Sequence, residues 1–188
     1  MKLVVASCGL WLVACVGVPQ SEDVLYGPQK GESLLSLGGS FSSSRLDVDG
    51  VPTIESAIFT GRAAVGYFFT LEHEAGVQLT YDRFETNLAG GDQTRGDVLL
   101  VYNYNLRQSS RTWYYFGADL GYRWLRDEDA TNFNSPTYGI HVGLRQWLTP
   151  NVSVFAQPFW KRSEYETTID DDATDTQLGV LYGLEFAF

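Results

Sequence analysis

The chain has 188 residues, with 13 Lys+Arg against 23 Asp+Glu and a formal net charge of −10, which leaves room for one domain and a short leader and offers nucleic-acid phosphates no basic cluster. With 44% hydrophobic residues and a mean hydropathy of −0.13, a multi-span helical membrane protein is excluded. Aromatics at 14%, with 19 Gly and only 6 Pro, suit strands and tight turns better than a helical bundle.

Lys2 precedes an apolar run from Leu3 to Val18, followed by Pro19 and the polar Gln20-Ser21-Glu22-Asp23. That run is short for a spanning helix and the right length for a secretory h-region, so residues 1–18 are predicted to be a signal peptide. Both cysteines, Cys8 and Cys15, lie inside it, so the exported part carries no disulfide framework. Leu12-Val13-Ala14-Cys15 resembles the lipobox of bacterial lipoproteins and makes Cys15 a candidate for lipidation. Ordinary signal-peptidase cleavage near Gly17 fits the same stretch.

From Glu32 onward apolar residues recur at every second position, the strand period. Eight segments follow, at roughly 33–44, 57–69, 73–84, 96–106, 112–124, 137–148, 152–162 and 176–188. No helical pattern intervenes, so sequential neighbours are antiparallel. The connections alternate: tight at Thr70-Leu71-Glu72, Arg107 to Arg111 and Thr149-Pro150-Asn151, long and polar at 45–56, 85–95, 125–136 and 163–175. All tight turns therefore fall at one end and all long loops at the other, the asymmetry of a transmembrane β-barrel, although a soluble up-and-down barrel shares the strand count.

The two faces of the segments separate these readings. One phase, represented by 40 positions with Leu37, Phe59, Val77, Leu100, Leu120, Ile140, Val154 and Leu178 among them, carries no charge at any of those positions. The other mixes small residues with isolated charges: Arg62, Glu74, Gln78, Asp82, Asn103, Asp119, Arg145 and Glu185. Large apolar residues suit lipid, and small polar ones suit an eight-strand lumen that side chains must fill. Aromatics gather in two girdles: Tyr67, Phe69, Tyr104, Tyr114, Phe116, Trp147, Phe186 and Phe188 at the tight-turn end; Phe41, Phe59, Tyr81, Tyr122, Trp124, Tyr138, Trp160 and Tyr165 towards the long loops. Ten residues at ~3.3 Å, tilted ~40°, span roughly the 25 Å of a membrane's apolar band. The fold class expected is all-β, an eight-stranded antiparallel up-and-down transmembrane barrel with short periplasmic turns and longer extracellular loops. Pro158 falls inside the seventh strand, where a closed barrel has no free edge, so a bulge or irregularity is expected there.

With these features in place, residues 32–188 resemble the small outer-membrane barrels of the OmpA/OmpX type. The hairpin Val65-Gly66-Tyr67-Phe68-Phe69-Thr70-Leu71-Glu72-His73-Glu74-Ala75-Gly76-Val77 resembles the family's glycine-tyrosine, turn, glycine strand pair. The end of the chain, with Tyr182, Leu184, Phe186 and Phe188 alternating to a terminal aromatic, resembles the signal that the barrel-assembly machinery reads. The resemblance implies a Gram-negative outer-membrane protein in contact with membrane lipids and lipopolysaccharide, monomeric, with both termini in the periplasm; the chain length is expected to leave no room for the peptidoglycan-binding domain that OmpA-type proteins often append. Residues 19–31 then form a periplasmic leader.

Chemistry is sparse. Deacylases among such barrels place His and Ser two apart on a lipid-facing strand; here His141 is followed by Gly143 and is expected to point inward, and His73 sits at a tight turn. A nucleophile needs a matched base and acid, so no catalytic residue is expected. Asp170-Asp171-Asp172 with Asp175 offers oxygens to a hard cation but lacks a spaced loop pattern, so no metal or cofactor site is expected either. The lumen charges should pair, since an unpaired buried charge is expensive; Arg62 with Asp82 is the contact expected. Three functions remain in order: a structural or surface-interaction barrel with a polar plug, a lipid A-modifying deacylase or acyltransferase, and a narrow solute channel.

Overall fold

The computed structural model describes residues 25–48, 54–85, 92–127, 132–166 and 172–188. The predicted signal peptide with Cys15, and the connections at the long-loop end, lie outside the described residues. The chain forms eight strands: β1 (Ser33–Val48), β2 (Ile54–Phe68), β3 (His73–Glu85), β4 (Asp92–Arg107), β5 (Thr112–Asp127), β6 (Asn132–Thr149), β7 (Val152–Glu166) and β8 (Asp172–Ala187). Each pairs antiparallel with its sequence neighbours, and β8 returns to β1 to close the barrel.

The alternation in the sequence becomes the two faces of the wall. Leu100, Leu120, Ile140 and Leu178 are 62–65% exposed, whereas the intervening residues of the same strands turn inward. An apolar belt of this extent facing water would be a severe aggregation liability; facing acyl chains it is the favourable arrangement. The girdle aromatics Phe41, Phe59, Tyr81, Tyr122 and Tyr138 are exposed towards the loop end, and Tyr67, Phe69, Tyr114, Phe116 and Phe188 towards the turn end.

Two expectations are corrected, and a third, at Pro158, is met as a lapse in pairing rather than as a bulge. The strands run farther towards the loop end than the alternation indicated, and take in much of 45–56, 85–95, 125–136 and 163–175. Beyond the girdle the outward face has no lipid to satisfy, so the apolar period fades while the backbone ladder continues. Trp147 does not join the girdle; it stands in the inward phase and is 1% exposed. At Pro158 no bulge forms: β7 keeps one register with β8 throughout, and its pairing with β6 lapses opposite Gln157 and Pro158, then resumes unshifted. The missing N–H removes a rung without inserting a residue. The one shift between β6 and β7 lies instead between Trp147 and Thr149, beside the turn.

Candidate functional site

The interior of the barrel is where the sequence concentrates its polar chemistry, and it is built in three layers. At the turn end, Leu34, Phe68, Trp113, Trp147 and Ala187 form a buried apolar plug against which Tyr26 packs. The two indoles meet at 5.4 Å between ring centroids, and Phe68 meets Trp113 edge-on. Residues 25–31, the described part of the stretch read as a periplasmic leader, cross this plug as a strap. Gly27 donates its N–H to the Pro150 carbonyl, Gly31 donates to Phe68, and Arg107 and Arg111 donate to the Pro28 carbonyl and the Tyr26 hydroxyl. Gly27 is required here: its φ of +80° is one that side chains avoid, and a Cβ would strike both indoles.

Above the plug lies a layer centred on Arg145. Its guanidinium donates to Glu74 at 2.9 Å, to Glu185 at 3.0 Å and to the Asn105 amide oxygen, and it stacks over the Tyr115 ring at 4.3 Å. Ser36 and Ser153 add hydroxyl donors to Glu185. Asn103 donates to Glu74 and accepts from His141, which also faces Asp119 at 3.3 Å. Two glycines make this layer geometrically feasible. Asn103, Gly117 and His141 are register partners across β4, β5 and β6, and the two side chains meet at 2.6 Å above the glycine between them. In the same way the Tyr115 hydroxyl passes over Gly143 to donate to Gln157 at 2.9 Å. A Cβ at Gly143 would collide with the Tyr115 ring.

The layer nearest the loop end holds three carboxylates and three cations. Asp82 pairs with Arg95 at 3.0 Å, Asp97 with Arg123 at 2.7 Å and with Lys161 at 2.9 Å, and Asp175 with Arg123 at 2.6 Å and Arg95 at 3.2 Å. All six are nearly inaccessible. The contacts span the lumen as well as neighbouring strands, so each charge is neutralised within the barrel.

All eight lumen residues predicted from the sequence face this interior. The Arg62–Asp82 contact does not form: Arg62 sits opposite Thr80 in register and its Nε donates to Gln78, while Asp82 lies directly opposite Arg95, which takes it. Arg95, Asp97, Lys161 and Asp175 were missed. Asp175 is committed to Arg95, Arg123 and Ser44, so it is not a surface cation ligand; Asp170 and Asp171 lie outside the described residues. In the described interior lie a cavity of about 20 Å³ between the middle and six-charge layers, beside Asp97, Asp119 and Gln157, and one of about 10 Å³ within the Arg145 layer, beside Arg62, Glu74 and Asn103, each about one water in size. His73 lies apart, at the turn end, bonded to the Tyr102 hydroxyl at 2.6 Å and stacked on Phe69. Tyr182, Leu184, Phe186 and Phe188 all point outward from β8, and Phe188 exchanges backbone hydrogen bonds with Ser33 at the closing seam.

Removal of Asp119 tests the middle layer. Asp119→Ala should destabilise the barrel by about 1–3 kcal/mol, because the His141 ring loses a buried charged partner. The check is the temperature at which the compact gel band converts to the unfolded one; an unchanged conversion would make the contact incidental.

No protein-family model matches the sequence, and no curated protein does. Solved structures do match. Neisserial surface protein A superposes with a TM-score of 0.62 at 15% identity, over 85% of this chain and 98% of that one. The outer membrane protein OprG from Pseudomonas aeruginosa gives 0.58 at 13% identity, over 87% and 99% of the two chains. The outer membrane protein AlkL, solved in DMPC lipid bilayers, gives 0.56 at 14% identity, over 92% and 95%. At these identities the likeness is one of fold: the chain has the closed eight-stranded barrel of those outer-membrane proteins.

Proposed function

We propose that the protein is a non-enzymatic barrel of a Gram-negative outer membrane, exported by its N-terminal signal peptide, with a structural or surface-contact role. The turn end and both termini face the periplasm, and the loop end faces outside. One observation carries the reading. Among the described residues the lumen is occupied by the Trp113–Trp147 plug, the Arg145 layer and the six-charge layer, and the cavities of about 20 and 10 Å³ left there are each about one water in size. A filled lumen is a rigid strut rather than a conduit. The exposed apolar belt between two girdles supports a lipid surround. Both histidine rings are engaged, His141 with Asp119 and Asn103 and His73 with the Tyr102 phenol, and among the described residues neither ring is hydrogen-bonded to a Ser or Thr hydroxyl that could serve as an acyl nucleophile.

Three measurements on the native protein test this. Membrane fractionation with gel migration before and after boiling should place it in the outer membrane as a heat-modifiable band; recovery in the soluble fraction would end the proposal. Purified protein in planar bilayers should give no discrete conductance steps; regular steps would favour the solute-channel reading. Mass spectrometry of lipid A with and without the protein should show identical acylation, and a lost or added acyl chain would assign it an enzymatic role instead.

A further inference from the structure

The strap at 25–31 does more than cover the plug: its fastenings tie together the two strands at which the barrel closes. β1 and β8 meet at that seam, and at the turn end Ser33 and Phe188 exchange backbone hydrogen bonds of 2.9 and 3.0 Å. The β8 side is fixed to the turn between β6 and β7. There the Ala187 N–H donates to the Asn151 carbonyl at 2.9 Å, and the Asn151 side-chain amide donates to the Ala187 carbonyl at 3.1 Å. The β1 side reaches the same turn by another route. Its chain continues past Ser33 along the end of β2, where Phe68 donates to the Glu32 carbonyl at 3.0 Å and accepts from Gly31 at 2.7 Å. It then crosses the plug to Gly27, whose N–H donates to the Pro150 carbonyl at 2.8 Å. Pro150 and Asn151 are consecutive residues, so both sides of the seam are buckled to one turn. Parting β1 from β8 at this end therefore pulls on the bond between Gly27 and Pro150.

The dock for this buckle is composite. Leu34 of β1 and Ala187 of β8 are register partners across the seam, and both belong to the plug together with Phe68 of β2, Trp113 of β5 and Trp147 of β6. Gly27 packs against both indoles, and the Tyr26 ring lies under the Arg111 guanidinium, 4.7 Å away, at the turn between β4 and β5. Elements so distant in sequence come to one place only when the ring of strands is complete. We propose that residues 25–31 are a post-closure latch: they dock after β1 has met β8, and they hold the seam shut at the turn end. A parted seam presents two unpaired strand edges to lipid, where nothing satisfies their N–H and C=O groups, so its opening is the step that such a latch guards. Contacts made only after closure leave the folding rate alone and slow unfolding. The latch depends neither on the proposed function nor on which side of the membrane the turn end faces.

The test follows folding and urea-induced unfolding in lipid vesicles by the conversion between compact and unfolded gel bands. Gly27→Val should unfold about 5–30-fold faster than the native protein, while its folding rate stays within about twofold. Arg111→Gln removes the Tyr26 anchor without touching either indole, and should likewise speed unfolding and leave folding unchanged. Slower folding with unaltered unfolding in either variant would place the strap in the closing step and overturn the proposed order. No change in either rate would overturn the latch altogether. A crosslink shows whether the seam is what the strap holds. Leu37 and Leu184 are register partners across it, turned to lipid and clear of the plug, and an antiparallel pair lies within disulfide reach. In Leu37→Cys/Leu184→Cys, with Cys8→Ser and Cys15→Ser, adding Gly27→Val should speed unfolding of the reduced protein as before. Once the pair is oxidised, the same addition should change the rate by less than about twofold. Equal acceleration in both forms would mean that the strap steadies the barrel at large and not the seam. A pair that does not oxidise would contradict the register on which the latch stands.

Discussion

Arg145→Met should lower the unfolding free energy of the barrel by about 3–5 kcal/mol, the usual consequence of removing one side of a buried ion pair. Arg145 is the hub of its layer: Glu74 and Glu185 both rest on its guanidinium, Asn105 accepts from it, and Tyr115 stacks on its face. Met restores most of the volume and none of the charge, so two carboxylates on opposite sides of the lumen lose their shared counter-ion. Arg62, the other cation of that layer, is hydrogen-bonded to Gln78 and packed on Phe155. Arg145→Lys should fall between the two, since a point charge cannot fork to both carboxylates. Urea titration of the protein in lipid vesicles gives the number. If the loss arises from stranded charge, adding Glu74→Gln and Glu185→Gln to Arg145→Met should recover most of it. A single variant within about 1 kcal/mol of the native protein, the scale of an exposed pair, would mean that the layer is wet and the pairing unimportant.

That hub also marks where sequence reading stops. The faces of Arg145, Glu74 and Glu185 follow from strand phase, because a period of two assigns every residue to lumen or lipid once one is assigned. Contacts between register neighbours are nearly as accessible where a tight turn sets the register, as for Asp97 with Arg123 across β4 and β5; Asp82 with Arg95 are cross-strand partners too, but on β3 and β4, which one of the longer connections joins. Contacts across the lumen are different. Arg123 reaches Asp175 from β5 to β8, and Arg145 reaches Glu74 from β6 to β3. Which residues share a height on opposite walls depends on the shear of the closed barrel, which no local pattern encodes. Arg95 and Asp175 were missed for a second reason: they stand on strand extensions beyond the girdle, where the outward positions are polar and the stretch reads as loop. Trp147 was misplaced because an aromatic near a turn suits a girdle, although its odd spacing from Leu144 already set it on the inner face. The strap had no periodic signal at all; its contacts are made by backbone carbonyls and by Arg107 and Arg111 at a distant turn.

The plug beneath the strap yields the second large effect. Trp147→Ala should cost about 3–5 kcal/mol, as for other fully buried aromatics, since the barrel wall is held by its ladders and cannot collapse into the space left. The loss should be seen in two places. Urea midpoints should fall, and protease should cleave within 25–31 where the native protein resists, because Gly27 packs against both indoles and Tyr26 against the cluster. Gly27→Val separates these consequences. Its Cβ would sit 2.6–2.7 Å from the rings of Trp113 and Trp147, at a φ that valine adopts only with strain, so the strap should lift while both indoles stay. Its cost should be smaller, about 1–2 kcal/mol from the backbone, with strap cleavage as fast as in Trp147→Ala. Neither variant should conduct ions, because the Arg145 layer and the six-charge layer still fill the lumen above the plug. Cleavage of the strap without any change in the Trp147→Ala unfolding midpoint would make the plug a mere resting place for the strap. Conductance in either variant would show that the polar layers are permeable and that the apolar end alone keeps the barrel shut.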